Sequence, residues 1–249
     1  MEVDGIVIAG VSKVYKARKD EEFKALQDIN LTLEKGQHLA IEGESGSGKS
    51  TLARLLAGLE KPTVGSIKID NQEITGWNYA VWRKHRKKIQ AVFQDASGTL
   101  NPVHSVIRNV EEALINLTDL NKKQRRERIY QLMECVKMEK NLLDTPVTQL
   151  SGGEQRRLAL LRAIAVNPDY IILDEVTSGL DLISSDAVLN LLENSAKLSN
   201  CSCILITHNQ ATAKRVADKI IVLSGGRIVQ QGYLIDPQIK PANKKSSVF

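Results

Sequence analysis

The chain has 249 residues, of which 42% are hydrophobic, 25% charged and 4% aromatic; this is the balance of a soluble globular protein, and it excludes a disordered tail, a collagen-like repeat or a disulfide knot. Thirty-four Lys and Arg against 29 Asp and Glu give a formal charge of +5, which suits anionic partners (nucleotide phosphates, lipid headgroups, nucleic acid) without choosing among them. Cys135, Cys201 and Cys203 form no C-x-x-C pair, and no apolar run approaches the roughly 18 residues of a membrane span. Neither a disulfide framework, a zinc knuckle nor a spanning helix is therefore expected, and a reducing cytosol fits best.

An opening without a basic stretch predicts no secretory leader. With no Pro/Gly/Ser linker, residues 1–249 read as one α/β domain. Asp28-Ile-Asn-Leu-Thr-Leu-Glu34 alternates apolar and polar residues, the pattern of a strand with one wet face, and Lys35-Gly36 turns it into His38-Leu-Ala-Ile-Glu42. This predicts a β-rich N-terminal layer. A glycine loop follows, then a helix carrying Leu52, Leu55, Leu56 and Leu59 with Gly58 near its end, then a strand at Ile67-Lys-Ile-Asp70. Over 96–164 the pattern turns helical: Val106, Val110, Ala113, Leu114 and Leu117 mark one amphipathic helix, and Ile129, Leu132, Met133 and Val136 another. A helical insertion is expected there, within a core formed by 5–95 and 165–235.

The segments then alternate: a helix to Ala165, the strand Tyr170-Ile-Ile-Leu173, a helix over 184–198, the strand Cys203-Ile-Leu-Ile206, a helix over 210–217 and a strand at 220–223. Such alternation implies a parallel sheet covered on both faces. The polar, aperiodic stretch 237–249 reads as a frayed tail.

Gly43-Glu-Ser-Gly-Ser-Gly-Lys49-Ser50-Thr51 fits G-x-x-x-x-G-K-[ST] and lies between an apolar strand and a helix, as that motif requires. Its glycines let successive N–H groups, at the positive end of a helix, point at one polyphosphate. Lys49 is expected on the β and γ phosphates and the Ser50 hydroxyl on Mg²⁺. Downstream, Tyr170-Ile-Ile-Leu-Asp174-Glu175 is a buried strand ending in two carboxylates, where open α/β sheets place ligands. Asp174 can hold Mg²⁺ and Glu175 can polarise the attacking water. The absence of an Asn-Lys-x-Asp motif argues against a GTPase.

Leu150-Ser-Gly-Gly-Glu154-Gln155 precedes another helix, and Ser151-x-x-Glu154 is a capping box that would start it for local reasons. Two glycines in a first turn cost about 1 kcal/mol each relative to Ala, so something besides capping requires bare backbone there. An exposed glycine-rich helix start is an anion site, and the natural anion is a phosphate carried by another copy.

At these residues the chain, from about 5 to 235, resembles the nucleotide-binding subunits of ATP-binding-cassette (ABC) transporters. The resemblance implies an α/β P-loop NTPase (RecA-like) core, a β-rich N-terminal layer and a helical insertion bearing the signature. It implies that Tyr15 stacks on adenine and that Gly43, Ser45, Gly46, Gly48, Lys49, Ser50 and Thr51 hold ATP. Gln94, in Val92-Phe-Gln-Asp95, would sense Mg²⁺ and the attacking water; Asp174 would hold Mg²⁺, and Glu175 would be the base. Ser151, Gly152, Gly153 and Glu154 would act in trans, Asp181 of Ser178-Gly-Leu-Asp181 would form the D-loop, and His208 of Ile206-Thr-His208 would meet the γ phosphate.

The stretch Val-Phe-Gln-Asp followed by Leu100-Asn101-Pro102 is similar to bacterial oligopeptide, dipeptide, nickel and opine-metallophore importers. The short length is similar to the second ATPase of nickel or metal–staphylopine uptake systems. This implies two membrane permeases, a second ATPase chain and an extracytoplasmic binding protein as partners, at the cytoplasmic face of the membrane. A non-transport ABC ATPase acting on ribosomes or DNA is the alternative. Glu154 where glutamine is commoner, and Val176-Thr-Ser-Gly where Ala or Pro are frequent, are departures within the signature and after the acidic pair.

Three further stretches carry no site. Leu223-Ser-Gly-Gly226 repeats the signature letters but precedes a strand pattern and reads as a hairpin turn. The basic runs 83–88 and 122–128 lack an aromatic platform and read as solvated surface rather than a nucleic-acid site. Cys201 and Cys203 read as small core residues on one strand face.

Overall fold

A computed structural model describes residues 4–16, 22–95, 97–176, 186, 190 and 201–233. Strands β1 (Gly5–Lys16) and β2 (Glu22–Glu34) pair antiparallel, with Ile6 opposite Leu33 and Tyr15 opposite Phe23. The expected alternation holds: Ile29, Leu31 and Leu33 are buried while Asp28, Asn30 and Thr32 are exposed. Strands β4 (Val64–Ile69) and β5 (Gln72–Glu73) complete a sheet of order β2-β1-β4-β5.

The second sheet holds β3 (Leu39–Glu42), β6 (Ile89–Val92), β7 (Tyr170–Asp174), β8 (Ser202–Ile206), β9 (Lys219–Ser224) and β10 (Arg227–Tyr233), in order β10-β9-β3-β8-β7-β6. All its pairings are parallel except β10 on β9. Every residue of β7 and β8 is buried, because helices or the first sheet cover both faces. The side-chain period of two sorts β7: Tyr170 and Ile172 enter the core with the first sheet and α1 (Lys49–Leu56). Ile171 and Leu173 instead join the core built with α3 (Val106–Leu117), α4 (Lys122–Cys135) and α5 (Gly152–Ala165).

Local signals start the helices. Asn78 accepts the Val81 N–H ahead of α2 (Tyr79–His85), and Asn121 with Gln124 forms a capping box on α4. Asn209 accepts the Ala211 and Thr212 N–H groups at the start of α6 (Gln210–Val216). One expectation is corrected. Helix α1 ends at Leu56, and Leu59, expected on its apolar face, is 53% exposed. The cause is Gly58, whose left-handed backbone (φ 64°) brings the chain against the Trp82 ring, where a Cβ would lie 2.0 Å away.

Leu223-Ser-Gly-Gly226 is the turn of the β9–β10 hairpin, as expected. Cys201 and Cys203 are buried in one core cluster; burial pushes the Cys201 thiol up to about 12 and the Cys203 thiol higher. Such thiols are inert packing groups. Of the helix expected over 184–198 only Asp186 and Asn190 fall within the described residues, and the 237–249 tail lies outside them.

Candidate active site at the carboxyl ends of the parallel strands

Strands β3, β6, β7 and β8 run parallel and end together, and their exits carry the loop 43–48, Gln94, Asp174 with Glu175, and His208. The fold thus gathers four stretches distant in sequence at the edge where open α/β sheets bind ligands.

The loop after β3 is shaped by glycine where no side chain fits. At Gly43 (φ 146°) an added Cβ would lie 2.2 Å from the Leu223 carbonyl oxygen; at Gly48 (φ 106°) it would lie 2.5 Å from that of Ala25. Gly48 is the N-cap of α1 and supplies no side-chain acceptor, and the first turn holds no acid. The first N–H groups of α1 are therefore left to an outside anion. Lys49 is buried, and its ammonium donates to the carbonyls of Gly43 at 2.8 Å and Glu44 at 2.7 Å, which holds the charge inside the loop.

Asp174 ends β7, buried, with the Ser50 hydroxyl beside it. Burial raises its pKa above the ordinary carboxylate value, as does the neighbouring charge of Glu175; the Ser50 hydroxyl and the Lys49 charge oppose that rise. A hydroxyl and a carboxylate side by side at a phosphate cradle fit a hard, oxygen-ligated Mg²⁺. No cluster of three His, Cys, Asp or Glu able to cage a metal occurs among the described residues. Mg²⁺ takes one or two protein oxygens and completes its shell with phosphates and water.

Glu175 follows in a left-handed conformation (φ 52°), with its N–H donating to the Ile206 carbonyl at 3.0 Å. A non-glycine residue there stores about 1–3 kcal/mol, and such strain gathers at functional sites. Its carboxylate is shared: Oε2 accepts from Gln94 Nε2 at 3.0 Å, and Oε1 lies 3.6 Å from His208 Nδ1. The structure thus brings Gln94, Glu175 and His208 into one cluster, with His208 at its solvent side. Sequence reasoning paired these residues by resemblance only; the strained backbone that aims Glu175 left no signal in the sequence.

Tyr15 lies on β1 near Thr51 of the cradle helix and donates its hydroxyl to Glu60 Oε2. Lys13 Nζ lies 4.9 Å from its ring centroid and 3.3 Å from Glu60. Burial and the Glu60 acceptor raise its pKa. Glu60 was missed from the sequence, since nothing in its spacing ties it to Tyr15.

The signature stretch is built as the capping box predicts. Ser151 N–H and Oγ donate to Glu154 Oε2 at 2.8 and 2.7 Å, and Glu154 N–H donates to Ser151 Oγ at 3.3 Å. These bonds hold the Glu154 pKa below its ordinary value. Both side chains thus spend these hydrogen bonds on each other. At Gly152 an added Cβ would meet nothing within 4 Å, so packing inside this chain does not require glycine there. Asp181 lies outside the described residues.

The family described as "ABC transporter" matches residues 26–178. The methionine import ATP-binding protein MetN 2 of Bacillus cereus is 37% identical over 239 residues, spanning 96% of this chain and 69% of that protein. The nickel import ATP-binding protein NikE of Escherichia coli is 36% identical over 212 residues, spanning 85% of this chain and 79% of that protein. In three dimensions the chain is similar to the ATP-binding cassette MJ0796, solved as a post-hydrolysis dimer bound to ADP and Pi. The TM-score is 0.86 at 30% identity, covering 93% of this chain and 99% of that one.

Proposed function

The chain belongs to the ABC transporter ATPase family, and from that premise we propose that it is the ATP-hydrolysing subunit of a bacterial importer for small ligands such as nickel or metallophore complexes, or oligopeptides. The observation that carries the chemistry is the sharing of the Glu175 carboxylate between Gln94 and His208 beside the cradle. Import is supported by relatives named for methionine and for nickel import. Two permease chains, a second ATPase chain, an extracytoplasmic binding protein and a seat at the cytoplasmic face of the membrane complete the reading. Among the described residues no helix is long and apolar enough to cross a membrane, so the spanning parts fall to those permeases.

In this reading the backbone N–H groups of the loop and Lys49 cradle the β and γ phosphates, and Tyr15 supports adenine. Ser50, Asp174 and Gln94 would hold Mg²⁺, which when bound neutralises phosphate charge. Glu175 accepts a proton from the attacking water at a carboxylate oxygen while Gln94 and His208 fix that carboxylate's direction. His208 would meet a γ-phosphate oxygen. The exposed glycine start of α5 supplies N–H groups to the nucleotide of the opposed chain. ATP then bridges two chains, and its hydrolysis removes the bridge, which biases the permeases between states.

Glu175→Gln is isosteric and leaves the cradle untouched. It is expected to keep ATP binding while lowering turnover by about 10²–10⁴-fold, the usual contribution of a general base. Single-turnover hydrolysis and equilibrium binding measure the two effects; hydrolysis at a near-normal rate sinks the base assignment. Uptake of labelled nickel against labelled peptide in a deletion strain decides the cargo class.

A further inference from the structure

The signature-like stretch Leu223-Ser-Gly-Gly226 lies against the rear of the loop 43–48 rather than in a helix start. Gly226 N–H donates to the Ser47 carbonyl at 3.1 Å, and the Leu223 carbonyl is the atom that leaves no room for a Cβ at Gly43. The same turn is gripped from the other side by β2. Gln27 N–H donates to the Gly226 carbonyl at 2.7 Å, Gln27 Nε2 to that of Gly225 at 2.9 Å, and Arg227 Nη2 to Gln27 Oε1 at 3.0 Å.

Three backbones meet where no side chain fits. A Cβ at Gly226 (φ 76°) would lie 2.8 Å from the Ala25 carbonyl oxygen, and one at Gly48 would lie 2.5 Å from the same atom. Ala25 is thereby pinned between the hairpin turn and the end of the cradle. Strand β2 in turn carries β1 by pairing, with Phe23 opposite Tyr15. The buried Ser47 hydroxyl has no hydrogen-bond partner among the described residues, so the loop's tie to its rear wall runs through the backbone.

We propose that the turn at Gly225 and Gly226 is a positioning brace for ATP, holding the Tyr15 platform at a fixed spacing from the phosphate cradle so that base and triphosphate are bound as one rigid ligand. This rests on the reading of Tyr15 as the adenine support. A ligand anchored at two points gains from both only when their separation matches its own, so a displacement of β2 weakens the base contact and leaves the phosphate contacts in place. Gly226→Ala supplies that displacement, because its methyl pushes on Ala25 and Leu26 of β2.

The test is titration of the full chain with ATP and with inorganic tripolyphosphate, which has no base. Gly226→Ala is expected to bind ATP about fivefold more weakly, a partial loss of a stacking contact, with tripolyphosphate affinity unchanged. KM for ATP should rise with kcat retained. Gln27→Ala, which removes two side-chain bonds without adding a clash, gives the same split at about twofold and stands in if Gly226→Ala does not fold. Gly232→Ala, on β10 where a Cβ meets nothing, leaves both affinities unchanged. Tyr15→Ala calibrates the base contact and should show the split at full size. If Tyr15→Ala shows the split and the brace variants bind both ligands normally, or lose both equally, the brace is overturned. If Tyr15→Ala leaves ATP affinity unchanged, the adenine reading falls and the brace with it.

Discussion

Replacing Gly46 by Ala separates what the fold needs from what the nucleotide needs. In the chain alone an added Cβ at Gly46 meets nothing within 4 Å, and the backbone stands at φ 79°. The cost to the fold is that of a left-handed non-glycine residue, about 1–2 kcal/mol. For a chain of this size each kcal/mol lowers Tm by about 2–4 °C, so thermal unfolding should move by less than about 8 °C. Binding should suffer more if, as the ATPase reading requires, the phosphates occupy the open space beside Gly46. Losing one charge-assisted hydrogen bond to a phosphate costs about 1.5–3 kcal/mol, or about 10–100-fold in affinity. Gly43→Ala is the contrast. Its methyl would lie 2.2 Å from the Leu223 carbonyl and 2.7 Å from Ser47 Oγ, so overpacking of about 1–3 kcal/mol is added to the strained backbone. Thermal unfolding and ATP calorimetry on both variants measure the split. Wild-type ATP affinity in Gly46→Ala would refute the view that this space belongs to phosphate.

Asp174→Asn should lower activity without lowering stability. A carboxylate whose folded-state pKa is raised binds its proton more tightly in the native chain than in the unfolded one. Stability therefore rises as pH falls through that pKa, and the ionised group opposes folding above it. The neutral amide removes that opposition, so Tm at pH 7 should hold or rise and lose part of its acid-side pH dependence, while Mg²⁺-dependent hydrolysis falls about 100-fold or more; a clear drop in Tm contradicts the desolvation argument. Gly58→Ala forces a methyl to 2.0 Å from the Trp82 ring at φ 64°, so it should destabilise by about 3 kcal/mol. Chemical denaturation measures that cost, and a loss under about 1 kcal/mol would mean that the α1–α2 junction yields freely.

The cradle was legible because it is local: strand, glycine loop and helix are contiguous, and each glycine answers a backbone demand within a few residues. The acidic pair was legible for the same reason, as was the capping box at Ser151 and Glu154. The meeting of Gln94, Glu175 and His208 was not legible from spacing, because it depends on the crossover order β3-β8-β7-β6, which local patterns do not encode. Strand β1 did not stand out because its pairing with β2 is interrupted between Ile8 and Val14, which breaks the period of two. Strand β6 is only four residues long, too short for periodicity to tell. Helix α2 was hidden in a basic run whose charge masks one buried residue, Trp82. The end of α1 was placed too late because Leu59 continues the apolar spacing although Gly58 has already turned the chain.

The proposed ATPase cycle requires ATP to be held between two chains, and Gly152 tests that most directly. Gly152→Leu adds a side chain at the first residue of α5, where a Cβ meets nothing outside its own helix within 4 Å, and it replaces the residue of greatest backbone freedom with an ordinary helix former, so the fold is not weakened. In the Glu175→Gln background, assembled with the ATPase chain it pairs with, light scattering with Mg²⁺ and ATP should show nucleotide-driven pairing for the single variant. The double variant, at unchanged or higher Tm, should show none. Equal pairing by both would mean that the start of α5 faces no nucleotide, and the shared-site account would be wrong.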